Sequence, residues 1–157
     1  MRFQVPITDK ARYRAGFMQL AQQSRFTHWL TLNTHRDCSL ATAFKHLKRW
    51  RVELFRRLHG QRFYEAAPGE LTWYLGCPEL SGVGHPHFHL AVVVPELVTL
   101  KFEQIVACRW ETIVASGTTY LAPIGPTADD QRIVLGYASK WLDPLAHSPF
   151  VHSKVDW

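Results

Sequence analysis

The densest chemistry in this chain is the run His85-Pro86-His87-Phe88-His89, which leads directly into Leu90-Ala91-Val92-Val93-Val94-Pro95. In a β-strand alternate residues face the same side. His85, His87 and His89 then point one way, and Pro86, Phe88, Leu90, Val92 and Val94 the other. The second set is apolar and seeks a core. The first presents imidazoles, the side chains most often used to hold a transition-type metal near neutral pH. Glu79 lies just upstream, across Leu80-Ser81-Gly82-Val83-Gly84, which reads as a turn. A hairpin through that turn can bring Glu79 beside the histidines. Two imidazoles and a carboxylate make a three-ligand cation site with open positions, able to bind and polarise a phosphate oxygen. His85, nearest the turn, reads as a bystander or a supporting group rather than a ligand.

A second chemical feature is Tyr137-Ala138-Ser139-Lys140. Residues three apart on a helix share a face, so a phenol and an ammonium project together. A tyrosine oxygen can attack phosphorus and form a covalent ester, and a neighbouring lysine can balance the phosphate's charge. Taken alone, Tyr137 reads as a core-edge aromatic, because Val134, Ala138 and Trp141 line the same flank.

The elements that must carry these groups follow from periodicity and capping. A short helix is expected over residues 9–24, with Phe17, Leu20 and Ala21 on one side. A first strand is predicted over residues 26–34 (FTHWLTLNT). Ser39 caps a helix from about Ala41 to His59, ended by Gly60. Its apolar stripe is Phe44, Leu47, Leu54, Phe55 and Leu58, and its other face carries Lys45, Lys48, Arg49, Arg51, Arg56 and Arg57. A second strand runs from Leu71 to Glu79, irregular at Pro78. The histidine strand is its antiparallel partner, stopped by Pro95. Thr99 caps a helix from Lys101 to about Ala115, with Phe102, Ile105, Val106, Ile113 and Val114 inward. A fourth strand over residues 118–124 and a last helix over residues 129–142, capped around Thr127, complete the pattern. The order is β-α-β-β-α-β-α. It predicts an α+β fold with a central antiparallel β-sheet flanked by α-helices.

With 157 residues the chain suits one domain, with a core over about residues 26–142 and an irregular tail over 143–157. A formal charge of +5 favours a polyanionic partner, and the aromatic content of 13 % offers rings for stacking on unpaired bases. No apolar run reaches the roughly 20 residues a membrane span needs, and the N-terminus lacks a signal-peptide core. The three cysteines, Cys38, Cys77 and Cys108, are dispersed and odd in number, which argues against a disulfide framework or zinc ribbon. A reduced, cytoplasmic protein is the expectation. No Gly-x-x-x-x-Gly-Lys loop is present, so neither an ATPase domain nor a nucleotide cofactor is expected.

The residues on either side of Phe88 then carry a resemblance. His87-Phe88-His89 resembles the histidine-hydrophobe-histidine motif of the HUH endonucleases, and is closest to the rolling-circle replication initiator (Rep) type with a single catalytic tyrosine. Trp29-Leu30-Thr31-Leu32-Asn33 is similar to that family's first-strand motif, with Asn33 where threonine is usual. Glu79 stands where many members carry an acidic ligand, and Tyr137-x-x-Lys140 resembles the nucleophile motif, in the same order and on a helix. The likeness spans about residues 26–142. It implies a metal-dependent endonuclease and strand transferase that nicks single-stranded DNA, or a DNA hairpin at a replication origin, through a 5′-phosphotyrosine. His87, His89 and Glu79 would hold Mn²⁺ or Mg²⁺, with Tyr137 as nucleophile and Lys140 steadying the phosphate. The basic helix face would track the DNA backbone. The helicase region of larger initiators is missing, which leaves unwinding to a separate helicase or implies a simpler task.

Two other classes fit parts of the pattern. A non-catalytic, RRM-like α+β module would share the fold class and charge, but has no need of His87, His89, Glu79 and Tyr137 together. A His/carboxylate metal-dependent oxygenase would share the ligands, but is built on a barrel or jelly roll without three helices.

Overall fold

The computed structural model describes residues 11–12, 15–16, 18–19, 22–80, 85–138 and 151–152. Its strands are β1 (His28–Asn33), β2 (Trp73–Leu80), β3 (Pro86–Val93), β4 (Thr118–Pro123) and the two-residue β5 (Val151–His152). Its helices are α1 (Leu40–His59), α2 (Thr99–Ile113) and α3 (Ala128–Ala138). The strands form one antiparallel sheet in the order β4-β1-β3-β2-β5. β3 lies between β1 and β2, and β1 between β3 and β4. The α1 and α2 crossovers therefore interleave as two split β-α-β units. This is the α+β fold with a central antiparallel sheet that the sequence predicts.

Local signals set the element ends. The Ser39 hydroxyl accepts from the backbone N–H of Thr42 at 3.1 Å, satisfying a first-turn donor of α1. Gly60 adopts φ +90°, open to glycine without a Cβ penalty, and its N–H donates to the Arg56 carbonyl. At α3 the Thr127 hydroxyl accepts from the Asp130 N–H at 3.1 Å while the Asp130 carboxylate accepts from the Thr127 N–H at 3.2 Å, a reciprocal cap. Thr99 is not a cap as expected. A 3-10 turn (Glu96–Val98) precedes it, Thr99 is already helical, and its hydroxyl donates to the Pro95 carbonyl. Residues 11, 12, 15, 16, 18, 19 and 22 of the expected 9–24 helix are helical. Phe17, Leu20 and Ala21 lie outside the described residues, as do positions 81–84 of the expected turn.

The sheet separates two cores. On one side α1 and α2 bury Leu47, Trp50, Leu54, Phe102, Val106 and Trp110 against Leu30, Leu32, Phe88, Leu90 and Val92. On the other, Leu135 and Ala138 of α3 pack with Phe26, Trp73, Leu75, Cys77 and Ala91. Burying a large aliphatic or aromatic side chain contributes roughly 1.5–3 kcal/mol, so the first core is the main source of stability. The stripe expected for α1 omits Trp50, and Arg51 departs further. Only 5 % exposed, it belongs to the buried side of α1 and not to the basic outer face. The position follows from spacing, since residue 51 falls between Leu47 and Leu54 on the same helical side. No helix among the described residues is long and apolar enough to cross a membrane. All three cysteines are free.

Candidate metal centre and its tyrosine

Strand register decides which side chains share the α3 side of the sheet. β2 and β3 pair Glu79 with His87 and Cys77 with His89. β1 and β3 pair Asn33 with His87 and Thr31 with His89. β4 and β1 pair Thr118 with Asn33 and Tyr120 with Thr31. Directly opposed residues in antiparallel strands project to one face. Two rows therefore cross this face, Thr118-Asn33-His87-Glu79 and Tyr120-Thr31-His89-Cys77. The predicted alternation holds along β3, where Phe88, Leu90 and Val92 are buried in the opposite core.

Glu79, His87 and His89 come together as expected, and among the described residues they form the group able to hold a metal ion. Oε2 of Glu79 lies 3.1 Å from Nε2 of His87 and 2.8 Å from Nε2 of His89. The two imidazoles meet edge to face with centroids 4.9 Å apart. All three side chains are about one-fifth exposed, at 21, 18 and 16 %, so the group opens to solvent on one side.

The other ring nitrogens leave both Nε2 atoms directed at Glu79. Nδ1 of His87 lies 3.3 Å from the His85 carbonyl oxygen, which can only accept, so this nitrogen carries a proton. Nε2 of His87 then meets the Glu79 carboxylate either as the second N–H of an imidazolium or as a lone pair sharing a cation with it. Nδ1 of His89 lies 3.1 Å from the Thr31 hydroxyl, which orients that ring but, able to donate or accept, does not set its tautomer. Metal-ligating histidines characteristically use the outer nitrogen for such an orienting bond. The donor set of two imidazole nitrogens and one carboxylate suits a divalent transition-type cation, with positions left for exogenous oxygen ligands. Cys77 adds nothing to it. Burial pushes its thiol up to about 12, which keeps it protonated among apolar neighbours.

His85 takes a supporting part through its backbone. Its imidazole is drawn away from the group to Asp37, 3.2 Å distant, while its carbonyl orients His87. In the sequence Thr31 stands out only as part of the first-strand motif, without a role of its own. Its signal was the alternation of Trp29, Thr31 and Asn33, but the partner strand of β1 had to be known before that alternation had meaning.

Tyr137 reaches this side of the sheet because α3 is clamped there. The Gln131 side chain accepts from the Phe26 N–H and donates to the Phe26 carbonyl, both at 2.9 Å, and also donates to the Gly125 carbonyl. Leu135 and Ala138 bury the helix against the sheet. The Tyr137 ring is not the core-edge group that the helix flank alone suggests: it is 59 % exposed. Its ring meets the indole of Trp29 edge to face at 6.0 Å, and that indole stacks on His89 at 5.5 Å. Lys140 lies outside the described residues.

The basic helix face sits elsewhere. α1 packs on the face of Leu30, Leu32 and Phe88, so Lys45, Lys48, Arg49, Arg56 and Arg57 project from the layer behind the sheet, away from the histidines. Arg49 is also paired with Glu53 at 2.8 Å. Comparison with protein-family models, curated proteins and solved structures finds no match for this chain.

Proposed function

We propose that this chain is a metal-dependent single-strand DNA endonuclease and strand transferase of the HUH kind, acting through a 5′-phosphotyrosine. One observation carries the proposal: Glu79, His87 and His89 converge on one side of the sheet, and the helix that packs on that same side presents an exposed tyrosine one aromatic ring away from His89. Neither a packing role nor simple base stacking calls for all four groups together.

Glu79, His87 and His89 would hold a divalent cation, Mn²⁺ or Mg²⁺ by the resemblance; when bound, it supplies positive charge at a non-bridging oxygen of the scissile phosphate. The His85 carbonyl and Thr31 hydroxyl keep the two imidazoles aimed. The Tyr137 oxygen attacks phosphorus and loses its proton to solvent. The new Tyr–O–P bond forms as the P–O3′ bond breaks, and the leaving oxygen takes a proton to become a free 3′-OH. The phosphodiester energy stays in the tyrosyl ester, so a 3′-OH can attack in reverse and rejoin a strand. Lys140, three residues on, is assigned to balance the phosphate's charge. Exposure of Tyr137 suits a polymeric substrate, which must lie along the surface rather than enter a cavity. Single-stranded DNA or an origin hairpin is the substrate class.

The test is incubation with labelled single-stranded oligonucleotides, with and without Mn²⁺, followed by a denaturing gel. A metal-dependent covalent adduct is expected, and it should vanish in Tyr137→Phe. An adduct that survives this change assigns the nucleophile elsewhere. Tight binding without cleavage under any divalent metal would replace the proposal with a non-catalytic binding module.

A further inference from the structure

Among the described residues, Tyr120 is a large aromatic side chain on the histidine side of the sheet that stays exposed. Its ring is 61 % exposed, although it sits on β4 in direct register with Thr31, which in turn pairs with His89. The clusters that α3 closes, through Leu135 and Ala138, cover the Trp73, Leu75 and Ala91 end of this face and do not include Tyr120. The side chains that the register places between Tyr120 and the metal group are polar, and Thr31 among them is buried. Thr31 stands between Tyr120 and His89, and Thr118 and Asn33 fill the adjoining row as far as His87. Two strand spacings separate β4 from β3, about 9–10 Å. This face thus carries the metal group at one side and an exposed aromatic ring at the other.

We infer that Tyr120 is a stacking platform for an unpaired nucleobase of the strand whose phosphate meets Glu79, His87 and His89. This rests on the nuclease proposal and adds a base subsite to it. Three features favour a base over other occupants. The ring is carried by β4, the edge strand whose register with β1 sets it in the row of Thr31 and His89. The more exposed Asn33 and Thr118 lie in the adjoining row, with hydroxyl and amide groups suited to sugar and phosphate oxygens rather than to an apolar partner. Stacking on an aromatic ring requires a base released from its duplex, which restricts the substrate to single-stranded or splayed DNA. A base in the helical stack would have no free face to offer.

The experiment measures binding of fluorescein-labelled single-stranded DNA to full-length protein in a Tyr137→Phe background, by polarisation in EDTA. Tyr120→Ala should weaken binding roughly 5- to 150-fold, the range for loss of one stacked base. Tyr120→Phe should stay within about twofold of the parent, since the ring is kept. An oligonucleotide with a scanned abasic position should show one position at which wild type and Tyr120→Ala bind equally. Equal DNA affinity of Tyr120→Ala and the parent would overturn the subsite while leaving the nuclease proposal standing. Loss of adduct in Tyr120→Phe, with retention in Tyr137→Phe, would make Tyr120 the nucleophile and overturn the stacking role. A wild-type protein that neither binds nor cuts single-stranded DNA would remove the nuclease proposal and the subsite with it.

Discussion

The indole of Trp29 lies nearly parallel to the imidazole of His89, with planes 17° apart and centroids separated by 5.5 Å. Its ring also meets Tyr137 at 82°, so one ring from β1 touches His89 on β3 and the tyrosine on α3. An aromatic pair of this kind contributes about 0.5–1.5 kcal/mol beyond its area. Trp29→Ala should therefore weaken Mn²⁺ binding roughly 2- to 13-fold, while Trp29→Phe keeps most of the affinity. Titration calorimetry reads the difference. Equal affinities in all three proteins would show that the stack does not hold His89.

Metal binding should also register as stability. A ligand that binds only the folded state at 100 times its Kd stabilises it by about 2.7 kcal/mol. Wild type should show a matching rise in melting temperature with Mn²⁺, reversed by EDTA. Glu79→Gln, His87→Ala and His89→Ala should each lose most of that rise, yet fold without metal, because these side chains line an open face and not a core. A full metal-induced shift in any of the three would remove that residue from the ligand set.

Gly76 guards the register of the hairpin. A Cβ at this position would be driven into the backbone carbonyl of His89 on the neighbouring strand. The clash is with backbone, which cannot swing aside. Gly76→Ala should cost about 1–3 kcal/mol, the range for overpacking a filled site, and displace Glu79 from His87. Chemical denaturation and Mn²⁺ titration together test this. Native stability with intact metal binding would mean that the strands can separate locally without consequence.

His59 gives the fold a dependence on acid. Its Nε2 accepts from the Thr72 N–H at 3.1 Å, a bond available only to the uncharged ring. Burial, and secondarily the charge of Lys101, holds its pKa below the ordinary 6.5. The unfolded chain therefore binds this proton more readily than the folded one. The stabilising contribution is fully present above about pH 6.5 and is lost as pH falls from there toward the lowered folded value. Unfolding free energy should drop between pH 7.5 and 5.5, and His59→Gln should flatten that slope. An unchanged slope in the variant would assign the acid sensitivity to other groups.

What the sequence determined by itself was local. Period-two alternation follows from strand geometry, so His87 and His89 could be set on one face and Phe88, Leu90 and Val92 on the other without knowing any neighbour. Ser39, Gly60 and Thr127 could be recognised as helix ends because capping is completed within a few residues. The hairpin that pairs Glu79 with His87 was within reach because its two strands adjoin in the chain. Tertiary structure decided the rest, since it depends on which distant segments meet. That Thr31 braces His89, that Trp29 bridges His89 and Tyr137, and that Tyr120 shares their row all follow from β1 pairing with both β3 and β4. The burial of Arg51 and the placement of the basic α1 face behind the sheet follow from which side of the sheet each helix covers. Alternation and capping are properties of the backbone over a few residues; layer and register are fixed only when the whole sheet closes its two cores.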